Sequence, residues 1–129
     1  MHTEPKGALV DRLARYDGLV EVGVGTRPGV AVALADRGRT VTATDIHERE
    51  VPRGVRFVCD DVTDPNPEVY RGADAVYALN CPPELQRPLA DAARSAGADC
   101  LLTTLGADPV VLDAAPETLP GDTLFRVKP

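Results

Sequence analysis

Hydrophobic positions along this chain switch between a helical and an extended period, and the switches outline the elements. Leu9, Leu13 and Tyr16 fall at i, i+4 and i+7 while Asp11, Arg12 and Arg15 lie elsewhere, which predicts an amphipathic helix over residues 4–16. Thr3 suits its N-cap and Pro5 its first turn. Residues 19–24 form a short apolar strand that runs into a turn with Gly23, Gly25 and Gly29. A second helix follows over residues 28–37, and Gly38 is the left-handed residue expected past its end. β-Branched residues dominate the strand at 40–44, which stops at Asp45. The polar segment 47–54, punctuated by Pro52 and Gly54, reads as a loop. A third strand at 55–59 is closed by Asp60 and Asp61, and a short helix ends near Tyr70. A fourth strand covers 73–79. The helix at 83–96 carries Leu85, Leu89, Ala92, Ala93 and Ala96 on one face and stops at Gly97, and a fifth strand covers 98–104.

Strand and helix alternating with short connections predict an α/β fold: a doubly wound, mainly parallel sheet with helices on both faces. The expected strand order is 3-2-1-4-5, with the first strand inside the sheet. Beyond Gly106, Pro109, Pro116, Pro120 and Pro129 break the chain into short pieces. There only residues 123–127 read as a further strand, placed at an edge. A chain of 129 residues suits one domain over 1–129, burying roughly two thirds of its unfolded surface.

Composition narrows the classes. The longest apolar run is the six residues 30–35, far short of the roughly 20 that a membrane span needs. The N-terminus lacks the basic start and apolar stretch of a secretory signal, so the expected location is the cytoplasm. Cys59, Cys81 and Cys100 show no C-x-x-C spacing and read as reduced packing thiols rather than as a disulfide framework or a zinc site. Twenty acidic against fourteen basic residues give a net charge of −6, which disfavours nucleic-acid backbones. The Asp-rich, Lys-poor, Ala- and Arg-rich composition resembles that of halophilic archaeal proteins, whose acidic surfaces hold water. Self-association into a homo-oligomer is left open.

The candidate chemistry centres on Glu21, Val22, Gly23, Val24, Gly25, Thr26, Arg27, Pro28 and Gly29. A strand that enters a tight glycine turn before a helix presents backbone N–H groups and the positive helix end to a ligand. Gly23 and Gly25 allow the sharp turn and Gly29 close helix packing, while Asp45, 20 residues after Gly25, stands where an acid reaches ribose hydroxyls. Packing glycines and a solvated Asp are the plain alternative.

The turn resembles the first motif of class I S-adenosylmethionine-dependent methyltransferases, which carry an acid two positions before the first glycine, here Glu21. Residues 55–62, ending in Asp60, Asp61 and Val62, resemble the segment of those enzymes that meets adenine. The resemblance covers about residues 17–105 and implies S-adenosylmethionine as cofactor. By it Asp45 holds the ribose, Asp61 and Val62 the adenine edge, and Gly23 and Gly25 the methionine end. Glu21 then lies at the crevice mouth, near the ligand's ammonium. Two departures stand out: the last glycine of the turn is displaced to Gly29, and the chain stops where such enzymes place two more strands.

Pro82, Pro83, Glu84 and Leu85 after the fourth strand also match a family of short archaeal proteins of uncharacterised function with a compact Rossmann-like core. Asn80, Cys81, Pro82 and Pro83 resemble in part the motif with which amino-methyltransferases hold a target nitrogen. However, Cys81 replaces its polar residue and Glu84 its aromatic one. Asn80 remains a candidate ligand contact at the same rim, and prolines opening a helix are the plain reading. His2 and His47 form no signature with Cys81, and His47 beside Asp45 is a candidate to stack on adenine. Three functions follow: a methyltransferase-like protein binding S-adenosylmethionine, a non-catalytic nucleotide-binding or scaffold subunit, and an NAD-dependent oxidoreductase, which Glu21 disfavours.

Overall fold

The computed structural model describes residues 6–129, so Thr3, Pro5 and His2 lie outside the described residues. Helix α1 (Gly7–Leu13) precedes β1 (Gly18–Val22), α2 (Gly29–Asp36), β2 (Thr40–Asp45), β3 (Arg56–Cys59), α3 (Pro67–Tyr70), β4 (Ala75–Ala78), α4 (Pro83–Ala96) and β5 (Asp99–Leu102). Two further strands, β6 (Ala114–Leu119) and β7 (Asp122–Val127), complete the chain. The order in the sheet is β3-β2-β1-β4-β5-β7-β6. The first five strands are parallel, and β7 runs antiparallel to both β5 and β6. This is the Rossmann-like order expected, with extra antiparallel strands.

Strand alternation sorts the core into two layers. On one face Leu19, Ala43, Ala75, Tyr77 and Leu101 pack under α1 and α2. On the other, Val20, Val76, Ala78, Cys100 and Leu102 pack under α3 and α4. The central strand β4 is buried along its whole length, as expected where both faces carry helices. Helix α3 is a single turn, started by the Asn66 side chain accepting the Glu68 N–H at 3.1 Å. Among the described residues no helix is long and apolar enough to cross a membrane.

The end of the chain departs from expectation. Residues 123–127 do form a strand, but β7 lies inside the sheet, and the edge belongs to β6, which the prolines hid. Pro116 is tolerated there because an edge strand has one side with no ladder partner, where a missing N–H is not needed. Between β5 and β6, where a doubly wound fold would place a helix, residues 103–113 run as an irregular segment. Its Val110 and Leu112 pack against the α4 layer.

Two polar contacts fix these late elements. The fully buried Gln86 of α4 donates from Nε2 to the Pro109 carbonyl at 2.9 Å and accepts the Val111 N–H on Oε1 at 2.8 Å. The Arg12 guanidinium of α1 meets both carboxylate oxygens of Glu117 in β6, at 2.7 and 3.2 Å. Gln86→Ala strips the segment of both its amide partners. We expect a loss of about 1–3 kcal/mol in denaturant unfolding, two part-buried hydrogen bonds being lost. Hydrogen exchange should accelerate first at Val111 and its neighbour Val110. Unchanged exchange there would mean that apolar packing alone holds the segment.

Candidate functional site at the strand ends

β1 and β4 are neighbours whose following helices leave to opposite faces, α2 to one and α4 to the other. A crevice opens at the carboxyl ends of two such strands. The glycine turn forms one wall. Thr44 of β2 accepts the N–H groups of both Gly23 and Val24 on its carbonyl, each at 2.9 Å, so the turn is pinned to the adjacent strand end. Gly23 and Gly25 have φ of 74° and 58°, the left-handed region where a side chain is strained. A Cβ on either would meet nothing within 4 Å, so backbone conformation selects glycine here, and the space above the turn is open. Gly29 differs. It has no positive φ and open space around it, so the close packing expected of it is absent.

Asp45 braces the turn. Its Oδ2 accepts the Gly25 N–H at 2.8 Å and its Oδ1 the His47 N–H at 3.0 Å. Arg49 brings its Nε to 3.4 Å from Oδ1, an ion-pair contact without hydrogen-bond alignment, and that buried nitrogen has no hydrogen-bond partner. Burial pushes the Asp45 carboxyl up, but the His47 and Gly25 N–H groups and the Arg49 charge outweigh it and hold it below its ordinary value. Asp45 is therefore an anion at neutral pH. Each of its oxygens keeps lone-pair capacity for another donor.

Glu21 is turned the other way. It pairs in register with Tyr77 and Ala43, shares the α2 face, and is only 2% exposed. The Tyr77 hydroxyl donates to its Oε1 at 2.7 Å. Strand alternation thus places the carboxyl beneath the turn, and the expectation that it points into the crevice mouth is corrected. Burial raises it from the ordinary 4.5 to about 7, against the lowering effect of the Tyr77 bond.

Asn80 stands on the opposite wall in a left-handed conformation, φ 52°. Thr103 holds it there: its Oγ1 accepts the Asn80 N–H and its carbonyl the Cys81 N–H, both at 2.8 Å. Val22, Gly23, Asn80, Cys81, Leu85 and Leu89 line a cavity of about 230 Å³ between these walls. The buried Cys81 thiol is pushed up to about 11, chiefly by burial, and is a packing group at neutral pH, as is Cys100 at about 12. Cys59, by contrast, is exposed on β3. The described residues hold no cluster of metal-ligating side chains.

Asp61 and Val62 follow β3, beside Asp45, since the Asp60 N–H donates to the Asp45 carbonyl at 3.0 Å. Asp61 is exposed and its Oδ1 accepts from the N–H and hydroxyl of Thr63, at 2.9 and 2.6 Å, which hold it below its ordinary value. Val62 is buried and lines a separate cavity of about 510 Å³ between α3 and α4. The structure thus brings together Gly23, Gly25, Asp45 and Asn80 around the crevice, with Asp61 along the same rim and Glu21 below it. Sequence reasoning missed Thr103, Tyr77 and Ile46. Ile46, an apolar side chain 64% exposed directly after Asp45, is the one whose position next to the acid could have signalled it.

The sequence match to a described family spans residues 6–125. The chain belongs to the uncharacterised protein family UPF0146. A UPF0146 protein of Halobacterium salinarum is 63% identical over 100 residues, covering 78% of each chain. Its halophilic archaeal source agrees with the acidic composition read above. Among solved structures, an RNA methyltransferase from Salinibacter ruber in complex with S-adenosyl-L-homocysteine superposes with a TM-score of 0.65. It is 20% identical and the match covers 98% of this chain and 92% of that one. Magnesium protoporphyrin IX methyltransferase from Synechocystis, with bound SAM, gives 0.63 at 12% identity, covering 100% and 86%. These likenesses establish a methyltransferase-like Rossmann fold for this UPF0146 member. The sheet itself holds two strands after Gly106, β6 and β7, where the sequence had read only residues 123–127.

The buried Glu21 yields a pH test. Its folded value, about 7, lies above the unfolded 4.5, so the folded state prefers the protonated carboxyl. That stabilisation is complete below about pH 4.5 and is lost as pH rises to about 7. Its size is on the order of 3 kcal/mol. Asp45 and Glu117, both held low, act in the opposite sense and below this window. Unfolding measured at pH 5 and pH 8 should show the slope, and Glu21→Gln, which keeps an acceptor for Tyr77, should flatten it. An unaltered slope would place its origin elsewhere.

Proposed function

We propose that this protein binds S-adenosylmethionine and is methyltransferase-like in action, its adenosine cofactor lying across the carboxyl ends of β1, β2 and β3. The observation that carries the reading is the contact between Asp45 and the Gly25 N–H, at 2.8 Å, in the same turn whose Gly23 lines the switch-point cavity. It puts an anionic acceptor with spare lone pairs beside an open glycine turn, where a ribose diol can donate while the turn stays braced. The exposed Ile46 offers an apolar surface for the adenine, with the Asp61 carboxylate and the Val62 N–H proposed at its edge. Gly23 and Gly25 leave room for the methionine end, and Asn80 faces it across the cavity. Glu21 acts from beneath, as a positioning residue for the turn rather than a direct contact.

When bound, the sulfonium cofactor supplies an activated methyl group. This chain's residues would orient it and an acceptor, which is the main demand of such a reaction.

A calorimetry and thermal-shift panel of S-adenosylmethionine, S-adenosylhomocysteine, NAD, NADP and ATP tests the reading. A ligand specific to the native state stabilises by about 2.7 kcal/mol at a hundredfold excess over its Kd. We expect this for the first two ligands. Asp45→Ala should weaken their binding by about 1.5–3 kcal/mol. The variant also loses the brace on Gly25, so affinity is to be measured below its unfolding midpoint. Unchanged affinity would remove Asp45 from the site. A response to NAD alone would replace the cofactor, and no response to any adenosine ligand would leave the scaffold role in its place.

A further inference from the structure

Beyond the crevice, a second opening lies at the end of β5 and the start of β7, a cleft of about 460 Å³ lined in part by Thr103, Thr104, Asp108, Asp122, Thr123 and Phe125. We propose that it is a separate binding site for a singly charged amine that carries hydroxyl groups. The charge follows from its ionic partners. The Asp122 carboxylate is met by the Lys6 ammonium at 2.9 Å and is neutralised within the chain. Asp108 is exposed and has no ion-pair or hydrogen-bond partner for its side chain among the described residues, so the lining carries one uncompensated negative charge. The hydroxyl preference follows from the threonines. Thr104 and Thr123 bring two hydroxyls, and Thr103, whose Oγ1 accepts the Asn80 N–H, retains its own proton to donate. Phe125, half-buried, gives the cleft an apolar wall against which the carbon skeleton of such an amine packs. The glycines Gly106 and Gly121, both at positive φ, bound the opening without side chains.

The position adds a functional consequence. Thr103 lines this cleft, and the Asn80 to which it bonds lines the cavity beside the glycine turn, so one hydrogen bond forms the partition between the two spaces. Should the cofactor reading hold, the amine occupies the acceptor side of that partition. The binding claim itself does not depend on that reading.

The test is an amide-resolved NMR titration of the ligand-free protein with ethanolamine at neutral pH, with ethylene glycol and glycolate as uncharged and anionic controls. Ethanolamine should shift the amides of residues 103–108 and 121–123, and the controls should not. Asp108→Asn, a change on an exposed loop, should weaken the response about tenfold or more while leaving shifts elsewhere native. Equal shifts with ethylene glycol, an indifferent Asp108→Asn, or no shift at these residues up to solubility would each overturn the proposal. Because no adenosine ligand is present, these outcomes are independent of whether S-adenosylmethionine binds at Gly23 and Gly25.

Discussion

The hydrogen bond between the Gly25 N–H and the Asp45 carboxylate ties the glycine turn that follows β1 to the end of its sheet neighbour β2. Everything proposed for the crevice depends on that junction. Backbone pinning by the Thr44 carbonyl sets where the turn starts, and Asp45 sets how it continues. The charge on Asp45 is kept by the same N–H groups that it orders, so structure and ionisation support each other. A neutral residue at this position would lose the charge-assisted part of both bonds. Beyond its start at the Thr44 carbonyl, the turn would then rest on left-handed glycines, which are conformationally permissive and so define a shape poorly.

Buried polar groups recur wherever the fold lacks a regular covering. Gln86 replaces the packing of an absent helix with two hydrogen bonds to a single irregular segment. Arg12 reaches across to Glu117 so that the first helix is attached to the last strand pair. Glu21 and Tyr77 satisfy each other inside an apolar layer. Each arrangement joins its polar groups by at least one hydrogen bond, and paired polarity of this kind supports a unique packing. The exception is the Arg49 nitrogen beside Asp45, left with a charge contact only.

The fold was legible through β5 because each strand there is a short, mostly apolar or β-branched run closed by a glycine or polar residue, β4 covered on both faces and β3, at the edge, the least buried. The final hairpin was not, since β6 alternates half-buried with exposed residues and contains Pro116. Its strand character comes from pairing with β7, which local sequence cannot show. Gly23 and Gly25 were legible because the left-handed turn selects glycine by backbone conformation, whereas Asp45 was marked by its spacing alone and its bond to the Gly25 N–H was not foreseen. Glu21 was misplaced by reading its position along the chain without its period. Leu19 two residues before it already marks the α2 face. Thr103 and Tyr77 act on partners 23 and 56 residues away, and no local pattern announces such contacts.

Pro116 also bears on how this molecule behaves in a crowded solution. An open sheet ends in a row of unpaired backbone groups that can recruit the strand of another molecule. β6 is such an outermost strand, and near its middle the proline removes a donor and interrupts any continuous ladder that a neighbour might add. The surface of the protein carries an excess of negative charge, which keeps like molecules apart but is screened over short distances in concentrated salt. Where screening is strong, a steric block built into the backbone still operates. The same residue that obscured a strand in the sequence therefore protects that strand from adhesion when electrostatic repulsion is weakest.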